Sequence, residues 1–317
     1  MNSERLLHNL SITELASNSY DLLVVAYGFE SRGTAIAREI GEQSKRRIAF
    51  GFDHNRVAAF EENGRWFKKN GFVTVPDLSR KAFSDSLESV FRELFDSEDI
   101  AAINSTARIA VDISCFDRQR IAEIVGVLRR CSLSHNFSTD FWYCVAAFEP
   151  PAPSVGRNEI AGPVHRLFAG RFTDPGRPLA MIAGLGYEIG KVMGAAEYLQ
   201  ASRVIALFPE SPIPEYEPQV ARANKLLVDD LAARDIIRYP LSDLKRTIAT
   251  LDSIVRGLED THNIVLLPEG PKAFFLASLL VQTLHPQASV WRVSSGSAIR
   301  PRDVHASSHF VGLRWQL

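Results

Sequence analysis

Cysteine is scarce in this chain: Cys115, Cys131 and Cys144 are the only three in 317 residues, all in the first half. An odd number without a C-x-x-C spacing excludes a disulfide framework and a structural zinc site. A reducing compartment, the cytoplasm, is the expectation. Long apolar runs are missing too. No window reaches the roughly 18 apolar residues of a membrane span, and the opening MNSERLLHNLSITELASNSYD lacks the apolar centre of a secretory signal. Charge of one sign is absent. With 36 Lys and Arg against 37 Asp and Glu, a net charge of −1 sets up no field for nucleic acid or an anionic membrane. The basic clusters at 45–47, 68–69 and 129–130 are short, and the four tryptophans are dispersed, so no stacking platform for single strands is in view. Neither nucleic acid nor membrane is expected as a partner. His305 and His309 stand four apart but in a polar tail, and no H-E-x-x-H is present, so neither metal nor cofactor is expected.

What is present is ordinary globular composition, 46% hydrophobic and 23% charged, at a length that suggests two domains of roughly 100–200 residues each. More telling, the chain states one pattern twice. DLLVVAYGFESRGTAIAREI near residue 21 is an apolar run, a glycine, an aromatic, a glutamate and then helical spacing. LAMIAGLGYEIGKVMGAAEYL near residue 179 sets Gly186, Tyr187 and Glu188 where Gly28, Phe29 and Glu30 stood. A second strand–turn–helix follows each, ARIAVDISCFDRQRIAEIVGVLRR from Ala107 and HNIVLLPEGPKAFFLASLLVQTL from His262. Glu30 to Arg118 is 118 − 30 = 88 residues, and Glu188 to Lys272 is 272 − 188 = 84. Nearly equal separations predict an internal duplication.

The apolar runs are continuous rather than alternating, as in strands buried on both faces, and they alternate with helical spacing. This predicts an α/β fold: two tandem Rossmann-like units with parallel sheets, related by a pseudo-two-fold duplication. Strands are expected at 22–27, 47–52, 72–75, 109–113 and 141–147, then at 204–208, 235–241, 264–267 and 289–293. Among the helices, 219–234, 244–258 and 272–284 read most clearly. Residues 1–150 form the first unit. Residues 151–178, opened by the proline-rich EPPAPSVGR, form a linker that is irregular or a short hairpin. Residues 179–317 form the second unit with a polar C-terminal tail.

Ligands of open parallel sheets bind beyond the carboxyl ends of the strands, so both repeated loops are candidates. Gly28 and Gly186 permit close backbone approach or positive φ. Arg32 and Lys191 bring charge to the following helix start, where free N–H groups favour an anion. Glu30 and Glu188 recur in both copies, although a glutamate at a helix start also suits the dipole alone. In the second loops, Asp112, Ser114 and Arg118 correspond to Glu269, Gly270 and Lys272. Ser114 could cap a helix or bond a phosphate. Lys272 opens a helix against its dipole, a cost on the order of 0.3–1 kcal/mol that an anionic partner would offset. Gly184-x-Gly186-x-x-x-Gly190 has one residue too many for the dinucleotide fingerprint. Cys115 as a nucleophile would need His54 as its base, and reads more simply as a small core residue.

The run Ile264–Leu280, IVLLPEGPKAFFLASLL, with its Gly-x-Lys turn and the Gly28 and Gly186 turns, resembles the CARF sensor domains of CRISPR systems. Two such units in one chain also resemble the fused SAVED domain. The resemblance implies a cyclic-oligonucleotide or nucleotide-like ligand held between the two halves, in a sensor or regulatory subunit of prokaryotic defence. Gly186, Glu188, Gly270 and Lys272 would line one half-site, and Gly28, Glu30, Ser114 and Arg118 the other. The residues themselves leave two alternatives open: a nucleotide or nucleoside hydrolase or glycosidase with Glu30 or Glu188 as the catalytic carboxylate, and a non-catalytic assembly subunit. A protein partner or a homodimer is also left open.

Overall fold

The computed structural model describes residues 7–52, 55–75, 78–97, 106–150, 160–171, 174–294 and 301–316. His54, residues 151–159 and 172–173 of the expected linker, and positions 295–300 of the tail lie outside them. Strands follow in chain order as β1 (Leu7–Leu10), β2 (Tyr20–Tyr27), β3 (Ser44–Gly51), β4 (Val73–Val75), β5 (Ala107–Asp112) and β6 (Phe137–Ala146). Next come β7 (Ile160–Pro163), β8 (Leu179–Gly184), β9 (Arg203–Glu210), β10 (Ile236–Pro240), β11 (Asn263–Pro268), β12 (Ser289–Ser294) and β13 (Ala306–Gln316).

The chain divides into unit 1, Met1–Ala147 with Pro301–Leu317, and unit 2, Phe148–Arg300. Unit 1 holds a seven-stranded sheet ordered β1-β13-β6-β5-β2-β3-β4, and unit 2 a six-stranded sheet ordered β10-β9-β8-β11-β12-β7. Strands β2 to β6 are mutually parallel, as are β8 to β12. Numbered within its unit, each parallel set runs 3-2-1-4-5 and is followed by one antiparallel strand beside the fifth, β13 in unit 1 and β7 in unit 2. The fold is α/β and Rossmann-like.

This differs from the sequence reading at two places. The polar-looking tail is strand β13, paired with β1 and β6 of the first sheet rather than trailing the second unit. Within the expected linker, β7 pairs antiparallel with β12. The segment after each unit's fifth strand therefore enters the other unit's sheet.

Helices cover both faces because the strands are apolar on both. In unit 1, α1 (Ile12–Ser17), α2 (Ala35–Ile40) and α3 (Phe60–Lys69) lie over a core of Leu23, Val25, Tyr27, Ala49, Ala110 and Trp142. Phe50 points the opposite way and meets Phe83 of α4 (Arg80–Phe95) at 5.3 Å between ring centroids, on the face shared with α5 (Arg118–Cys131). In unit 2, α6 (Lys191–Tyr198), α7 (Tyr216–Ala223) and α8 (Lys225–Asp230) cover Met181, Ala183, Ala206 and Phe208. The other face carries α9 (Leu244–Leu258) and α10 (Lys272–Leu284), in which Ala273–Gln282 are all buried. The helix expected over 219–234 is broken at Asn224, which leaves helical geometry at φ −110°.

Strand β13 is tied in by an ion pair inside sheet 1. Asp140 of β6 is fully buried and accepts from Arg314 Nε at 2.7 Å and its terminal nitrogen at 2.8 Å, with Tyr20 Oη donating at 3.0 Å. Breaking a buried pair from one side strands a charge, whereas replacing both partners with apolar groups is often nearly neutral. Arg314→Leu leaves Asp140 with Tyr20 and, at 3.5 Å, Arg108; it should therefore cost about 1.5–3 kcal/mol in urea denaturation, and Asp140→Leu/Arg314→Leu should recover part of it. A single variant as stable as the parent would show that the pair does not hold β13.

Candidate functional site

Both pairs of candidate loops fall where the winding reverses. β2 sits between β3 and β5, and β8 between β9 and β11. Connections leave such neighbours toward opposite faces, and the parting between them is where open α/β sheets bind ligands. Gly28, Glu30 and Arg32 follow β2; Asp112 ends β5, with Ser114 and Arg118 after it. Gly186, Glu188 and Lys191 follow β8; Glu269, Gly270 and Lys272 follow β11. Arg118, Lys191 and Lys272 are each the first residue of their helix.

In unit 1 these groups are bound to one another. Glu30 Oε2 accepts from Arg32 Nε at 2.6 Å, and the same guanidinium donates to the carbonyls of Cys144 (3.0 Å) and Ser114 (3.2 Å). Arg32 is only 6% exposed. Burial alone would lower its pKa, but Tyr143, Glu30 and Cys115 beside it outweigh that and hold it well above the ordinary value. Ser114 Oγ accepts the Cys144 N–H at 2.8 Å, and Asp112 Oδ1 accepts the Ser114 N–H at 2.8 Å; both side chains are buried. Asp117 caps α5 by accepting the Arg120 N–H at 2.8 Å. Cys115 Sγ lies 3.6 Å from Glu30 Oε2. Burial, with Asp112 nearby, pushes the Cys144 thiol up to about 12, which removes it as a nucleophile near neutrality.

A strap from the end of the chain lies over the same loop. Asp303 Oδ1 accepts the Ser31 N–H at 2.6 Å, and Oδ2 the Ser31 hydroxyl at 2.5 Å. The Arg32 N–H donates to the Val304 carbonyl at 3.1 Å.

Unit 2 is open at the corresponding place. Residues 187–190 are all exposed, with the Glu188 side chain at 48%. Lys191 Nζ bridges Glu188 at 3.5 Å and the buried Glu269 at 3.3 Å. Glu269 Oε1 also accepts the Val293 N–H at 3.4 Å. The two loops meet glycine to glycine. A Cβ on Gly186 would stand 3.0 Å from the Gly270 nitrogen, and one on Gly270, at φ +80°, would collide with the Leu185 carbonyl oxygen. Gly28 has neither constraint: its φ is not positive, and a Cβ there meets Phe52 at an ordinary 3.6 Å. No side chain caps α6 or α10. Tyr187 stacks on Tyr216 at 6.2 Å, and Tyr216 meets Phe148 edge-on at 5.2 Å.

Two asparagines escaped the sequence reading. Asn63 Nδ2 donates to the Gly28 carbonyl at 3.0 Å, 35 residues away, and to that of Glu30 at 2.9 Å. Asn224 Nδ2 donates to the Gly186 carbonyl at 2.6 Å, 38 residues away. Each ties the first loop of its unit from the segment after the second strand, and the near-equal spacing was the available signal. Asp303 and Tyr143 left none. Among the described residues no cluster of His, Cys, Asp and Glu could hold a metal ion, and no helix is long and apolar enough to cross a membrane. No family model and no curated protein matches the chain.

Lys191→Met should remove the ammonium that bridges Glu188 and the buried Glu269 and cost about 1.5–3 kcal/mol in urea denaturation; Lys191→Met/Glu269→Gln should regain part of it. An unchanged midpoint for the single variant would show the pair to be energetically idle. Although burial would raise Asp303, the Ser31 hydrogen bonds, the Val304 N–H and His305 hold it below its ordinary value. A lowered acid contributes stability above its unfolded pKa of about 3.9, and that contribution disappears as pH falls through the folded value. The stability gap between the parent and Asp303→Asn should therefore be present at neutral pH and close below about pH 4. A gap that does not change with pH would assign it to packing instead.

Proposed function

We propose that the protein binds a small anionic, nucleotide-like ligand at the carboxyl edge of the second sheet and serves as a sensor or regulatory subunit. The observation that carries this is the exposed loop 187–190 of unit 2 at the reversal of its strand order, with Lys272 at the start of a helix that has no side-chain cap. A cation there works against the helix dipole, and an incoming phosphate would reverse the sign of that interaction. The Gly186–Gly270 contact leaves backbone rather than side chain facing the ligand. Glu188 is placed to accept a sugar hydroxyl, and Tyr187, 44% exposed, offers a ring face to a base. The shared strand order and the paired Asn63 and Asn224 contacts support reading the two units as a duplication in which the second has kept an open site. Glu30 is less suited than Glu188 to act as a catalytic carboxylate, because Arg32 holds it inside.

The test is thermal shift with a panel of nucleotides and cyclic oligonucleotides, followed by mass spectrometry of the recovered ligand. A ligand at about 100 times its Kd stabilises the native state by about 2.7 kcal/mol, which reads as several degrees. Lys272→Ala should weaken binding at least about tenfold, the scale of a charge-assisted hydrogen bond, and Glu188→Ala should weaken it less. Ligand recovered intact identifies a sensor, and ligand recovered cleaved identifies a hydrolase acting through Glu188. No shift with any member of the panel would end the nucleotide reading.

A further inference from the structure

The anion held at the first loop of unit 1 belongs to the chain itself. Both oxygens of Asp303 are engaged: Oδ1 by the N–H groups of Ser31 (2.6 Å) and Val304 (2.8 Å), Oδ2 by the Ser31 hydroxyl (2.5 Å). The strap is fixed on the carboxyl-terminal side of that contact, by Arg32 N–H to the Val304 carbonyl and by Ala147 N–H to the His305 carbonyl at 2.9 Å. The carboxylate is kept charged by these donors and by His305. Ser31 lies immediately after Glu30, in the loop that leaves β2 at the reversal of sheet 1. A backbone N–H and a hydroxyl from one loop converging on two oxygens of a single anion are also what a phosphate requires.

We propose that the Ser31 loop of unit 1 is an oxyanion site for inorganic phosphate or a phosphate monoester, and that Asp303 occupies it as a built-in pseudo-ligand. The strap keeps this site closed until Asp303 is displaced. Being tethered, the carboxylate competes at an effective concentration in the millimolar range without leaving the chain. The inference shares with the proposed function only the premise that the carboxyl edge is the binding edge, and it concerns the other unit.

The full chain, uniformly labelled with 15N, would be titrated with inorganic phosphate to about 10 mM while the amide resonance of residue 31 is followed. The parent should show no saturable shift. Asp303→Ala should show one at least about tenfold below that limit, and Asp303→Ala/Ser31→Ala should bind no better than the parent. Asp303→Asn, which keeps the size and one accepting oxygen but loses the charge, should fall between, and it decides the matter if the alanine variant does not fold. Phosphate binding to the Asp303 variants no tighter than to the parent would overturn the proposal, as would tight binding that persists without Ser31. Nucleotide binding dependent on Lys272 would survive that failure, so the two readings fall separately.

Discussion

Both sheets are mostly parallel, and a parallel sheet has to be covered on two faces by the helices that connect its strands. One chain meets that requirement by winding outward from a first strand along one face and then returning to wind along the other. The reversal leaves two neighbouring strands whose following loops diverge. In unit 1 these are β2 and β5, in unit 2 β8 and β11. The candidate loops, the glycines that let them approach, the asparagines that tie them and the cations beside them are all placed by where that reversal falls. The apolar strands that make double coverage necessary thus also create the crevice.

The parts of the fold held by local chemistry were legible in the sequence. The helices at 244–258 and 272–284 have the bounds their periodicity predicts, and the parallel strands appear where unbroken apolar runs stood. The antiparallel strands were not legible. β13 begins as ASSHF, polar and half exposed, and its partner β6 lies more than 150 residues earlier, so nothing near it in sequence marks it as a strand. The break at Asn224 was missed for a related reason. Its amide serves the Gly186 carbonyl, a tertiary contact that overrides the helical spacing of its neighbours. At the candidate site, residue type identified glycines, cations and carboxylates. Their partners, and hence which remain accessible, depended on the folded geometry.

That distinction separates the two units more than their sequences do. Glu30 and Glu188 occupy matching places after a first strand, yet the first is paired inside with Arg32 and the second stands half exposed beside Lys191. The helix after the fourth strand is capped by Asp117 in unit 1 and has no side-chain cap in unit 2. Similar residue types at similar spacing have settled into a buried polar cluster in one unit and an exposed loop in the other.

The exchange of antiparallel strands bears on the order in which the molecule can be made. Domains generally fold as they leave the ribosome, the amino-terminal one first. Here the first unit cannot do so in full, because β13, which lies between β1 and β6 in its sheet, is not synthesised until all of unit 2 has been. Until then β6 presents an unpaired edge, with Asp140 buried in the finished sheet but lacking Arg314. The half that is translated first is the half that is finished last, and the nascent chain must keep that open edge from pairing elsewhere in the meantime.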